Sequence, residues 1–253
     1  MRHRTEWGVR RRTSKPSEQR SFVIHRAGPR VPGTVWTPVA RPGPVPLVLL
    51  GHGGSGHRHS DRVSSMAERF AQAGFAAAAI DGPYHGDRVP SSLTPAEYQA
   101  RIVAEGIGRV LDRVAEEWVA TRDLLVDAGI ADRTRQAYFG LSMGTRLGLA
   151  AAAALAPDLK CAVFGKFGTR SAAGLDPGLR APVRALDDAS GIAAPVLFHL
   201  QWDDELFPRT GQLELFDAFP NPAKELHAFA GRHGRTPEHA PDLWHAFIER
   251  HLA

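Results

Sequence analysis

Gly140-Leu141-Ser142-Met143-Gly144 is a G-x-S-x-G pentapeptide set between an apolar run, Gln136–Phe139, and a helical pattern, Met143–Leu155. A sharp turn from strand to helix forces its middle residue into a strained conformation. The flanking glycines, lacking Cβ, let neighbouring backbone pass close by. The Ser142 hydroxyl is then held out over a sheet end, at a helix N-terminus that favours negative charge. Such a hydroxyl suits nucleophilic attack on a carbonyl, but it needs a base, and the base needs an orienting acid. The plainer alternative is a Gly-Ser turn with Ser142 as a helix cap.

Two later stretches carry those residue types. The apolar run Pro195–Leu200 leads into Gln201-Trp202-Asp203-Asp204-Glu205, and Glu225–Phe229 leads into Gly231-Arg232-His233-Gly234. The order is Ser, Asp, His, and the 29 positions from Asp204 to His233 leave room for one helix and one strand. Asp204, four residues before Pro208, is the preferred acid, and Asp203 is the alternative. Against these stand plainer roles, as capping or surface acids and as a solvent-exposed loop histidine. His227 falls within a strand pattern, and His239 and His245 fall in the closing helix, so they are poorer candidates for the base.

A fourth part would hold the developing oxyanion. Leu47–Leu50 runs into Gly51-His52-Gly53-Gly54-Ser55-Gly56, whose small residues allow backbone N–H groups to approach a tetrahedral oxygen, with the N–H of Met143 as partner donor. As a phosphate loop this stretch is weak, because no lysine follows the glycines and no helix begins at once. His52, His57, His59, His85 and Asp87 match no standard metal spacing, so neither metal nor cofactor is expected. Tyr84, with His85, Asp87 and Arg88, follows a strand end. Trp202, Phe207, Phe164 and Phe167 lie near loop ends. Of these, Trp202, Tyr84 and Phe207 are the candidate substrate contacts, against plainer roles in loop fixing and core packing.

The elements that position these residues follow from periodicity. Ser21–His25 and Gly33–Thr37 flank a Gly/Pro-rich turn and read as an antiparallel strand pair. Thereafter strands, at Leu47–Leu50, Phe75–Ile80, Gln136–Phe139, Cys161–Phe164, Pro195–Leu200 and Glu225–Phe229, alternate with helical patterns. The helices are expected at Asp61–Ala73, about 96–128 with a break at Gly106 and Gly108, Met143–Leu155, Thr210–Phe219 and Glu238–Leu252. Such alternation predicts a mostly parallel sheet with helices on both faces, and its ligand in the crevice beyond the carboxyl ends of the strands. The connections 88–108 and 168–192 are too short for a large lid, which predicts a small cap or none.

The pieces Gly33-Thr34-Val35-Trp36-Thr37-Pro38, His52-Gly53-Gly54, Asp81-Gly82-Pro83-Tyr84-His85-Gly86, Gly140–Gly144, Asp204 with Pro208, and His233 run in order along residues 21–253. With them the sequence resembles an α/β-hydrolase of the dienelactone hydrolase/acyl-esterase type. The resemblance implies the α/β-hydrolase fold and a serine hydrolase of small to medium carboxylic esters, working through an acyl-enzyme. It implies Ser142 as nucleophile, His233 as base, Asp204 as its orienter, and Gly54 and Met143 as oxyanion donors, with Gly53 an alternative. At His52 it implies a structural histidine that anchors its loop. Thr145 stands where many relatives carry glycine. Ser142 stands where many dienelactone hydrolases proper carry cysteine, so lactone specificity is not implied. The same machinery would cleave amides, thioesters or C–C bonds, and a non-catalytic binding protein of this fold is the rival from another class.

Composition agrees. With 43% hydrophobic and 23% charged residues over 253, the chain is of ordinary globular type, which excludes a disordered chain, a collagen or a coiled coil. A single domain is expected over 21–253. Its one cysteine, Cys161, excludes an internal disulfide and Cys-based zinc sites and fits a reducing compartment. The net charge of +4 is uneven: residues 1–20 hold seven cations and two carboxylates, leaving −1 for the rest. A basic, flexible tail is therefore expected over 1–20, and the body lacks the basic face that nucleic-acid binding requires. No apolar run has signal-peptide or membrane-span length, so a cytoplasmic, soluble protein acting on a small-molecule ester is expected.

Overall fold

Successive side chains of a strand point to opposite faces, and a strand apolar on both faces must be covered on both. In Val45–Gly51 (β4), Leu47 and Leu49 enter one hydrophobic core while Val48 and Leu50 enter another. The split recurs in Ala76–Ile80 (β5), Ala131–Gly140 (β6), Leu159–Gly165 (β7) and Val196–Gln201 (β8), where Tyr138, Phe164 and Phe198 face the first core and Phe139, Val163 and Leu197 the second. The computed structural model describes residues 4–13, 16–26, 28–39, 43–172 and 175–253. Arg4–Arg12 (β1), Ser17–His25 (β2), Val31–Pro38 (β3) and Glu225–Phe229 (β9) complete one sheet, ordered β1-β2-β3-β5-β4-β6-β7-β8-β9. The first three strands and the β3–β5 pair are antiparallel, and the strands from β5 to β9 are parallel.

Asp61–Gln72 (α1) and Ala240–Leu252 (α7) cover the second face with Val63, Met66, Phe70, Trp244 and Phe247. Pro95–Glu105 (α2), Ile107–Asp127 (α3), Met143–Leu155 (α4), Pro182–Ser190 (α5) and Arg209–Ala218 (α6) cover the first. The fold is thus the expected one, mostly parallel and helix-covered, with an antiparallel N-terminal strand group. The break in 96–128 comes at Gly106, whose φ of +91° the helix cannot continue through, while Gly108 lies inside α3. No helix among the described residues is long and apolar enough to cross a membrane.

The expectation for residues 1–20 needs correction: residues 4–12 form β1 and residues 17–20 begin β2. The charge count concealed an anchor. Trp7 packs edge-on against buried Phe22 with ring centroids 5.7 Å apart, the Arg20 guanidinium lies 4.4 Å over Trp7, and Arg20 Nε donates to the Gly8 carbonyl. Cation–π contact and ladder hydrogen bonds hold a strand whose outer face stays basic. Residues 1–3, 14 and 15 of that stretch lie outside the described residues.

Candidate active site

The parallel strands β4 to β9 all end at one sheet edge, so the loops after β4, β6, β7, β8 and β9 meet there. Ser142 joins β6 to α4 at φ +60°, ψ −119°, a conformation that costs a non-glycine residue of order 1–3 kcal/mol and persists only under constraint. The constraints are visible. Ser142 N donates to Gly165 O at 2.9 Å. The Thr145 hydroxyl, fully buried, lies 2.7 Å from Gly140 O and 2.8 Å from Gly165 O and accepts from Gly165 N–H. Thr145 therefore ties the turn to β7, a task glycine at that position could not perform. Gly144 is required by close approach, since a Cβ there would stand 2.8 Å from Gly51 O.

Ser142 Oγ lies 2.9 Å from His233 Nε2, and His233 Nδ1 lies 2.8 Å from Asp204 Oδ2. A carboxylate only accepts, so Nδ1 carries the proton and Nε2 is left to accept from the serine hydroxyl. The other Asp204 oxygen accepts from Leu206 N and Phe207 N at 2.8 and 2.9 Å, and the carboxylate is completely buried. Asp203, the alternative acid, is exposed and accepts instead from Gly231 N at 3.0 Å. Glu205 accepts from His233 N at 2.8 Å. Asp203 and Glu205 thus fasten the histidine loop, and Asp204 between them meets the ring.

Met143 opens α4, so its N–H has no intrahelical acceptor and points out of the helix N-terminus. The loop after β4 comes alongside: a Cβ on Gly54 would stand 3.9 Å from that of Met143 and 2.4 Å from the Tyr98 hydroxyl. His52 sets this loop. Its Nδ1 donates to Gly53 O at 2.8 Å and its Nε2 accepts from Gly82 N at 2.8 Å, while burial and neighbouring His85 pull it down to about 4. His85 Nε2 lies 3.0 Å from Gly54 O. Asp81, Asp87 and Arg58 form a separate knot, with Asp81 accepting from Arg58 N and Asp87 N and ion-paired to the Arg58 guanidinium. Among the described residues no group of three or more His, Cys, Asp or Glu is arranged to hold a metal ion.

The three candidate substrate contacts fare differently. Phe207 is buried with its ring centroid 5.7 Å from that of His233 and 5.1 Å from that of Phe167. Trp202 is 48% exposed and carries the Arg209 guanidinium 4.6 Å over its ring. Tyr84, at φ +64°, donates its hydroxyl to Glu105 at 2.6 Å, which makes it part of a loop anchor. Phe164 stacks on Phe219 in the core.

Three site residues escaped the sequence reading. Gln201 Nε2 donates to Gly231 O at 2.8 Å and to Ala230 O at 3.1 Å, joining the acid and histidine loops. Arg146, one turn into α4, has its guanidinium near the rings of Phe167 and Phe207, and burial lowers it to about 10. Lys166 follows β7 and reaches the histidine loop. A lysine directly after an apolar strand at the carboxyl edge was the signal available for it.

A family model described as the dienelactone hydrolase family matches residues 31–249. No curated protein sequence matches the chain. Among solved structures, a cold-adapted esterase from an Arctic intertidal metagenomic library is 29% identical, with a TM-score of 0.83 over 98% of this chain and 100% of that one. An acetyl xylan esterase from Paenibacillus sp. R4 is 21% identical, with a TM-score of 0.72 over 100% of this chain and 90% of that one. A dienelactone hydrolase from Anabaena variabilis is 20% identical, with a TM-score of 0.63 over 93% and 97%.

Proposed function

The chain belongs to the dienelactone hydrolase family and is a carboxylic ester hydrolase, and we propose that it works by two-step acyl transfer through Ser142, His233 and Asp204. The observation that carries this reading is the unbroken relay of 2.9 and 2.8 Å from hydroxyl to imidazole to buried carboxylate. His233 Nε2 takes the Ser142 proton as Oγ attacks the ester carbonyl. Asp204 keeps the imidazole in the tautomer this requires and stabilises its charged form. The oxyanion is held by the N–H groups of Met143 and Gly54, each typically worth about 3 kcal/mol of barrier. The alcohol departs with the proton from His233. Water, activated by the same imidazole, then releases the acid.

Small to medium esters are the proposed substrates. The Phe207 ring lies 5.7 Å from that of His233 and 5.1 Å from that of Phe167. The cavity behind them, lined by Arg146, Phe167, Leu179 and Phe207, measures about 20 Å³, room for about one water-sized group. Among the described residues, the connections 88–108 and 168–192 hold only short helices and no lid domain, which supports small to medium esters.

Hydrolysis of a panel of p-nitrophenyl esters and anilides by wild type and Ser142→Ala tests the mechanism, alongside labelling by a fluorophosphonate. Ser142→Ala is expected to lose at least about a thousandfold in kcat, with an adduct on Ser142 in wild type only. Hydrolysis surviving in Ser142→Ala refutes the assignment. Absence of an adduct in wild type favours a binding protein.

A further inference from the structure

Lys166 is 1% exposed and lies outside the relay of Ser142, His233 and Asp204. Its backbone adopts φ +50°, where a side chain is disfavoured and glycine would fit freely. Its N–H donates to His199 O at 3.0 Å, so the chain turns at the moment it leaves the pairing with β8. The turn aims the ammonium at the segment that follows β9. An ammonium has three donors, and all three are used: Nζ lies 3.0 Å from His233 O, 2.6 Å from Arg235 O and 2.8 Å from Thr236 Oγ1.

The segment 230–239 belongs to no strand or helix, so its shape rests on such ties. Gln201 at the end of β8, with Asp203 and Glu205 in the loop after it, holds its N-terminal part. Arg62 of α1 donates to Thr236 Oγ1 at 3.3 Å. Lys166 grips the carbonyl of His233 itself together with the two acceptors after it.

We propose that Lys166 is a positioning residue that sets the reach of the His233 imidazole to Ser142 by clamping residues 233–236. The inference rests on the reading of His233 as the base for Ser142. The charged and titratable groups facing Lys166 are Arg62 from α1, His199 from β8, Asp204 from the loop after β8 and His233. Burial, with the Arg62 charge, lowers Lys166 to about 8, and Asp204 opposes that shift. Above that pH the ammonium gives up one of its three donors and the clamp loosens.

The test is kcat and KM on a short p-nitrophenyl ester from about pH 6 to 9.5 for wild type, Lys166→Met and Thr236→Val, since misplacing a catalytic group by about 1 Å costs up to ~100-fold. Wild-type kcat is expected to decline on the alkaline side near pH 8. Lys166→Met is expected to lower kcat roughly ten- to a hundredfold at neutral pH with KM little changed, and to lack that decline. Thr236→Val, which removes one acceptor and leaves two, is expected to lower kcat roughly two- to fivefold and keep the decline. A merely structural lysine would shift melting without moving the pH profile. Wild-type kcat in Lys166→Met, or the same alkaline decline persisting in it, overturns the proposal. If Lys166→Met does not fold, unchanged kcat in Thr236→Val overturns it. Loss of activity in Ser142→Ala beside unaltered kcat in Lys166→Met refutes this inference alone. Retained activity in Ser142→Ala refutes the underlying reading as well.

Discussion

Acid should dismantle the loop after β4 through His52. The buried ring bridges two backbones: Nδ1–H donates to Gly53 O, and the Nε2 lone pair accepts from Gly82 N–H. Protonating Nε2 would set one N–H against another at a buried site. Burial first, and the nearby His85 second, therefore lower His52 from 6.5 to about 4. The folded value lies below the unfolded one, so the unfolded chain takes up the proton first. Stability is complete above the unfolded value of 6.5 and is lost as pH falls toward 4. A shift of that size amounts to about 3 kcal/mol, most of it lost by about pH 4.5. The assay is urea unfolding of wild type and His52→Leu at about pH 7 and pH 4.5. His199, lowered by burial to about 3, titrates in the same window but lies apart from His52 and contributes alike to both proteins. Wild type should therefore lose about 2–3 kcal/mol more than His52→Leu between the two conditions. Equal losses would refute the argument. Because Gly53 and Gly54 follow His52 directly, wild-type ester hydrolysis should fail over the same interval, before the protein unfolds.

Further outcomes follow from the same geometry. Asp204→Asn keeps the shape but donates where the imidazole needs an acceptor, so kcat should drop on the order of ten-thousandfold, about 5 kcal/mol of barrier. Asp203→Asn retains an oxygen able to accept from Gly231 N and should cost less than about tenfold, which steady-state kinetics on both variants will compare. Gly144→Ala forces a Cβ to 2.8 Å from Gly51 O and 3.1 Å from Gly51 C, backbone that cannot swing away. It should destabilise by about 1–3 kcal/mol, read as a drop of several degrees in Tm. An unaltered Tm would show that the turn and the loop after β4 are less tightly packed than described.

Much of the arrangement was legible in the chain because it is local. Gly140 to Gly144 between a strand pattern and a helix pattern requires a tight turn wherever the sheet lies, and Ser142 duly sits at φ +60°. The alternation of apolar strands and helices leads to the observed parallel core, because each strand buries both faces. Spacing alone could not choose between Asp203 and Asp204. Both lie in one loop, and the choice depends on which carboxylate turns inward, where Leu206 N, Phe207 N and His233 meet it. The order of β1 was hidden for a related reason. A count of charges suggested a solvated tail, while one tryptophan found Phe22 and Arg20 across the strand pair. The roles of Lys166 and Gln201 were hidden for the same cause, since a hydrogen bond to a loop some thirty or seventy residues away leaves no periodic trace, although the place of Lys166 just after an apolar strand marked it. Residue type and short-range spacing thus determined which groups were able to react. Which of them touch, and what holds them still, was decided where distant loops converge at one edge of the sheet.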